Sequence, residues 1–472
     1  MVFSSETFLF LFLPIFLVVY YLTPIRHRSV TILIGSYAFY GWWRIDYLAL
    51  LFATTLWTYA FGRRIGAAQS PRAARMYLTL GISGCLAVLG VFKYLNFFID
   101  SLAALWGSTP ADLGIHWRLL LPIGVSFYVF HAVSYLVDVY RKDAVATDRF
   151  FDFAAFIALF PQLVAGPILR FKDLTHQFAH RVHSVNLFID GTTLFAVGLA
   201  KKVLLADTVA PLANLAFATE TPSFWMSWLG AVAYMMQLYF DFSAYSDMAI
   251  GLGLMIGFHF RPNFDTPYVS RSITEFWRRW HISLSVWLRD YLYIPLGGNR
   301  LGKVRTYVNL MLVMFLGGLW HGANMTFVLW GLWHGGWLAL ERATGRAQGK
   351  TVVNLGTTLL IVLVGWVMFR AADPMQAGGI YAGMIGLNGW AMDPAAAIGI
   401  TRESLIFLAL SIAVAAFEPR LNRFAATYLA PGDGGLGWIN TVLPAALMTV
   451  LTAVTLMKMA EQSFSPFLYF QF

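Results

Sequence analysis

Apolar runs long enough to approach or cross a lipid bilayer alternate with short polar segments along the whole chain. In order, they run Phe8 to Leu22, Val30 to Trp43, Tyr47 to Phe61, Leu78 to Phe98, Leu119 to Val139 and Leu187 to Leu212. Trp225 to Met255, Val308 to Trp320, Met325 to Leu340, Val352 to Phe369, Ser404 to Phe417 and Ile439 to Met457 follow. The pattern predicts an all-α polytopic membrane protein with about 11–12 transmembrane helices. Two more apolar stretches, Phe153 to Ala165 and Ile282 to Leu296, are flanked by basic residues at both ends, and the second contains Arg289 and Asp290. Such flanks read as re-entrant or tilted helices, which persist at membrane depth only inside protein or beside a watery cavity. No linker or repeat divides residues 1–472, so a single transmembrane domain is expected.

Composition supports a membrane class. The chain is 58% hydrophobic and 12% charged, about half the charge of a soluble domain. The net charge of +9 is gathered in short loops between apolar runs, which reads as the positive-inside rule and not as a nucleic-acid surface. Arg26 and Arg28 follow the first apolar run, and basic loops then fall on alternate sides, which places both termini outside the cytoplasm. Met1 to Glu6 carries no positive region and no small-residue cleavage signal follows, so the first span is expected to be retained. Cys85, the single cysteine, excludes an intrachain disulfide or thiolate metal site.

The candidate chemistry lies in polar groups within apolar runs. His321 sits in Gly317-Gly-Leu-Trp-His-Gly-Ala-Asn324 between two uncharged segments, and imidazole is the side chain suited to acid–base work near neutrality. Asp241, Tyr245, Ser243 and Asp247 fall inside the Trp225 to Met255 run. At helical spacing, Asp241 pairs in face with Tyr245 and Ser243 with Asp247. Those carboxylates either orient a histidine, bind a cation or clamp helices together. Ser272 and Glu275 form a capping-box pattern, and Glu275 is spaced to pair with Arg279, leaving Arg278 for an anion. Arg278 and Arg279, with Lys201 and Lys202, are candidates to hold donor phosphates; the alternative is a positive-inside anchor. Asp173, His176, His180 and His183 share a helical face in a basic loop, a spacing that suits either a metal or solvated polar residues; no metal is expected there. His334 reads as a hydrogen-bonded core histidine. Gly251, Gly253 and Gly257 read as close helix packing.

Taken together, Tyr239 to Gly253, Asn263 to Arg300 and Gly317 to Gly335, with the opening Met1-Val-Phe-Ser-Ser and the ending Ser463-Phe-Ser-Pro-Phe-Leu-Tyr-Phe-Gln-Phe472, resemble the membrane-bound O-acyltransferase (MBOAT) family, in its bacterial alginate O-acetyltransferase branch. Ala244 departs from the glycine common in that branch. The resemblance implies an MBOAT fold around a central tunnel in the bacterial inner membrane. It also implies acetyl transfer from a cytoplasmic thioester, acetyl-CoA, with no permanently bound cofactor. His321 matches the family's catalytic histidine, and His281 and Asn263 are both candidates for its second position. Periplasmic SGNH-type acetyltransferases are the implied partners, delivering acetyl to an exported polysaccharide. The C-terminal Phe467-Leu-Tyr-Phe-Gln-Phe472 resembles the tyrosine motif of small proteins that serve the D-alanylating branch, so Tyr469 is either a transient acyl carrier or an aromatic interface anchor.

Other acceptors stay open at this point: cellulose, peptidoglycan or a teichoic acid-type polymer. So does a proton-coupled transporter, although the inverted repeats expected of one are not evident. Chemically, His321 suits a general base that takes a proton from a hydroxyl attacking a thioester and returns it to the leaving thiolate. A phenol with a pKa of about 10 stands near a thiol at about 8.5, so an aryl ester keeps much of the thioester's transfer potential.

Overall fold

A computed structural model describes residues 1–345, 351–392, 394–424, 437–461 and 467–468. Tyr469 lies outside the described residues. Among those described, every extended element is helical. Among the described residues, four helices are long and apolar enough to cross a membrane by length and composition: Pro71–Leu105, Val352–Arg370, Arg402–Phe424 and Pro444–Glu461. Other expected spans coincide with helices whose composition is more mixed, such as Asp46–Gly66, Val125–Arg141 and Met325–Thr344.

The reason for that mixture is visible in Val125–Arg141. It is buried along almost its whole length, and its interior includes His131, Ser134 and Asp138. A helix surrounded by protein tolerates polar groups that find partners. Asp138 accepts from Lys172 Nζ at 3.0 Å, and His131 Nε2 accepts the Leu169 N–H at 3.3 Å.

By contact grouping the chain forms two compact units. One comprises Met1–Gly191 with Ala249–Arg261; the other comprises Thr192–Met248 with Pro262–Phe472. In the first, Phe150–Ala158 ends at Leu159, whose ψ of 106° breaks the helix before a short turn at Phe160–Leu163. Nine helical residues reach about 14 Å, roughly half a bilayer core. Residues 153–165 are buried throughout. The break is satisfied internally: the Phe160 N–H donates to Ser36 Oγ at 3.1 Å, and Gln162 Nε2 donates to the Phe156 carbonyl at 2.7 Å. This is the broken, protein-enclosed segment that its two basic flanks suggested. In the same unit Asp173 pairs with Arg170 at 2.8 Å and Arg261 at 3.5 Å, while His183 turns to Tyr20 and Arg28, both at 2.9 Å.

In the second unit, Lys303–His321 and Met325–Thr344 form a tight helical hairpin. A methyl on Gly318 would collide with the Phe327 carbonyl oxygen, and one on Gly331 with that of Met314. Glycine at these crossings lets the two backbones approach. Ile282–Leu288 is again too short to span, and continues as a π-turn at Arg289–Tyr293.

Candidate active site

All residues of the site belong to the second unit. His321 is the last residue of its helix, because Gly322 continues in extended conformation (φ −159°, ψ 149°). Asn324 then caps the next helix, its Oδ1 accepting the Thr326 N–H at 3.1 Å while Nδ2 donates to the Ala372 carbonyl at 2.7 Å. The motif thus places His321 at a sharp inter-helix turn, where it is 5% exposed. Aromatic edges and faces hold it: Trp320, Trp330 and Phe369 have ring centroids 5.0, 5.1 and 5.2 Å away.

The structure brings His281 and Asn263 to the same place. The rings of His281 and His321 are 6.2 Å apart. Asn263 Oδ1 accepts the Ser283 N–H at 3.1 Å and the Ser283 hydroxyl at 2.8 Å, and it lies 3.2 Å from His281 Nδ1. A backbone N–H can only donate, so the amide face is fixed as oxygen, and His281 Nδ1 must carry the proton. The lone pair of His281 therefore resides on Nε2. His281 also adopts φ +45°, a conformation that costs a non-glycine residue about 1–2 kcal/mol and that persists where surroundings over-determine it. The Ile282 N–H donating to the Asn263 carbonyl at 2.9 Å is part of that determination.

His321 lines a cavity of about 200 Å³, together with Trp277, Ser285, Arg289, Tyr293 and Trp330. Its lining is mostly apolar, and Arg289, whose side chain is 59% exposed, brings a permanent positive charge to its rim. Pockets for complete drug-sized ligands run about 300–1,000 Å³. This one suits a slender arm bearing a reactive end, with any bulky charged portion left outside.

Three of the four candidate phosphate-binding cations are engaged by carboxylates. Lys201 pairs with Asp247 at 2.8 Å; Lys202 lies between Asp207 at 2.7 Å and Asp241 at 2.6 Å. Arg279 is held by Glu275 at 3.0 Å and Asp265 at 3.2 Å. Arg278 is exposed on the same helix, and no ion pair to it occurs among the described residues. The capping box forms as expected, with Ser272 Oγ accepting the Glu275 N–H at 2.9 Å. Buried Glu341 adds a second cap, accepting from the backbone N–H groups of Ile273 at 2.6 Å and Thr274 at 2.9 Å. It ties the helix bearing Arg278 to the helix that follows His321.

Arg289 and Tyr293 were not singled out as ligand-binding residues from sequence. Their signal was present: a charged pair, Arg289 and Asp290, within an apolar stretch flagged as re-entrant. Arg289 Nε donates to Asp290 Oδ1 at 2.7 Å.

Comparison with known proteins adds a consistent picture. The model of the MBOAT, membrane-bound O-acyltransferase family matches residues 115–368. The chain is 50% identical to "Probable alginate O-acetylase AlgI" of Pseudomonas putida over the full length of both proteins. It is 34% identical to a "Peptidoglycan O-acetyltransferase" of Helicobacter pylori, covering 82% of this chain and 80% of that one. A "Teichoic acid D-alanyltransferase" of Streptococcus thermophilus is 28% identical over 50% of this chain and 60% of its own.

Proposed function

The chain belongs to the membrane-bound O-acyltransferase family, and from that premise we propose that it moves acetyl from cytoplasmic acetyl-CoA across the bacterial inner membrane for O-acetylation of exported alginate. That it is a multi-pass membrane acyltransferase follows from the family and its relatives. The observation supporting the finer reading is the burial of His321 against an arm-sized cavity, beside a histidine whose tautomer is set by Asn263.

In this reading the thioester arm enters past Arg289, with Arg278 and Arg289 as cations for the donor phosphates outside the cavity. The hydroxyl oxygen of an acceptor attacks the acetyl carbonyl carbon, and His321 takes the hydroxyl proton. The carbon–sulfur bond then breaks, and the same proton goes to the departing thiolate. His281 and Asn263 position the reacting hydroxyl; the surrounding aromatic rings limit water and hence hydrolysis. Tyr469 is the first acceptor, and its aryl acetate passes to SGNH-type acetyltransferases in the periplasm, where both termini lie. The 50% identity to an alginate O-acetylase over its full length supports alginate over peptidoglycan.

The test is polysaccharide acetylation by cells carrying His321→Ala or Tyr469→Phe at wild-type protein levels. Loss of alginate acetyl esters in both is expected. Wild-type acetylation in Tyr469→Phe would remove the carrier step, and wild-type acetylation in His321→Ala would remove the base.

A further inference from the structure

Lys202 and Asp241 form an ion pair whose side chains are 4% and 1% exposed. Burying such a pair gains little stability, because desolvation offsets the attraction. Its geometry shows another use. Asp241 Oδ1 takes Lys202 Nζ at 2.6 Å, while Oδ2 accepts the backbone N–H of Leu468 at 2.9 Å. That bond joins positions 227 residues apart in sequence. One helical turn beyond Asp241, Tyr245 stacks on Phe467 with centroids 4.5 Å apart and planes 26° apart. Phe467 and Leu468 are 1% and 4% exposed.

Lys201 and Lys202 open a π-turn that runs Lys201–Ala206. Consecutive residues on a regular helix point about 100° apart. Here both consecutive lysines find carboxylates on the Phe224–Met255 helix, Lys201 at Asp247 and Lys202 at Asp241. Asp207 also holds Lys202 at 2.7 Å, keeping the ammonium in place independently of Asp241.

We propose that Asp241, set by Lys202 and flanked by Tyr245, is a receptor for the C-terminal segment and positions Tyr469 for acyl transfer. The backbone N–H of Leu468 supplies the bond, and the rings of Phe467 and Tyr245 supply selectivity for an aromatic–aliphatic sequence. Tyr469 is the next residue in the sequence. Phe467 is 6.1 Å from Phe242, which in turn packs edge-on against His281 at 4.7 Å. The receptor therefore adjoins the site through a single intervening ring. Its purpose rests on the reading of Tyr469 as acyl carrier; its existence as a tail receptor is measured separately.

The measurement is maleimide labelling of full-length protein in detergent. Leu468→Cys keeps the N–H donor and places a thiol where burial slows labelling. Native Cys85, fully buried beside Thr58 in the first unit, reports opening that spreads beyond the C-terminal unit in the same sample. Adding Asp241→Ala is expected to speed labelling at position 468 by about ten-fold or more while Cys85 stays protected. If Asp241→Ala exposes Cys85 as well, the decisive pair is Phe467→Cys with and without Leu468→Pro. Proline deletes the N–H and leaves the Asp241–Lys202 pair intact, and the same acceleration is expected at position 467. Unchanged labelling in either valid comparison overturns the receptor. Normal alginate acetylation in Tyr469→Phe would overturn the carrier role alone, since labelling involves no transfer chemistry.

Discussion

Two buried polar centres in the C-terminal unit are built around different neighbours. At Lys202, charge is answered by charge: two carboxylates and one ammonium within 2.7 Å contacts. At His321, the rings of Trp320, Trp330 and Phe369 pack at 5.0–5.2 Å and that of His281 stands 6.2 Å away, with the Asn263 amide oxygen in turn setting the His281 tautomer. The contrast is functional. A proton acceptor must change charge in each turnover and needs its ring held in place while it does so, which close aromatic packing supplies. An anchor that must stay put is well served by fixed opposite charges.

The largest expected effect breaks the charged centre. Lys202→Met leaves Asp207 and Asp241 buried without their ammonium, and removal of one partner from a buried pair costs about 3–5 kcal/mol. A thermal or denaturant midpoint in detergent should fall accordingly, and an unchanged midpoint would mean that water already reaches the carboxylates. Next is the neutral centre. Asn263→Ala removes the oxygen that sets the His281 tautomer, and acetyl-CoA turnover should drop about ten-fold in kcat with KM little altered. A change confined to KM would make Asn263 a donor-binding residue instead.

Arg289 sharpens the comparison at the cavity's rim. Arg289→Ala should raise KM for acetyl-CoA several-fold, on the order of 3–10, with kcat preserved, because an interaction made equally in ground and transition states affects binding alone. An acetyl thioester lacking the nucleotide should show no such change.

The smallest effect concerns a mixed centre in the other unit. Burial, then the nearby Arg28 and Arg181, push the His183 imidazole below its ordinary range. A depressed folded-state value means that the unfolded chain binds the proton first, so this contribution to stability is present above the ordinary histidine range and lost as pH falls. His183→Gln should flatten that acidic decline slightly. A steeper decline in the variant would reverse the assigned sign.

Much of this was legible in the chain. Basic flanks at both ends marked Phe153 to Ala165 and Ile282 to Leu296 as re-entrant or tilted helices, and the α-helices found there, Phe150–Ala158 and Ile282–Leu288, are short. Ser272, Glu275 and Arg279 announced their own cap and ion pair, because those contacts are local. The partners of Lys201 and Lys202 were not legible: Asp247 and Asp241 lie about 40 residues away in sequence and are brought to them by tertiary packing. Sequence likewise offered His281 and Asn263 as alternatives, while the fold joins them through one amide oxygen. Local bonds are written in adjacent residues; a shared pocket is assembled by tertiary packing.

The central claim is that His321 is the proton acceptor for acyl transfer from a thioester. Its most direct test is single-turnover consumption of acetyl-labelled coenzyme A by purified wild-type protein and by His321→Gln, with bound donor measured in parallel. The account predicts retained donor binding and a rate lower by about 10²–10⁴-fold. An equal rate in the variant, or a loss explained wholly by donor binding, would contradict it.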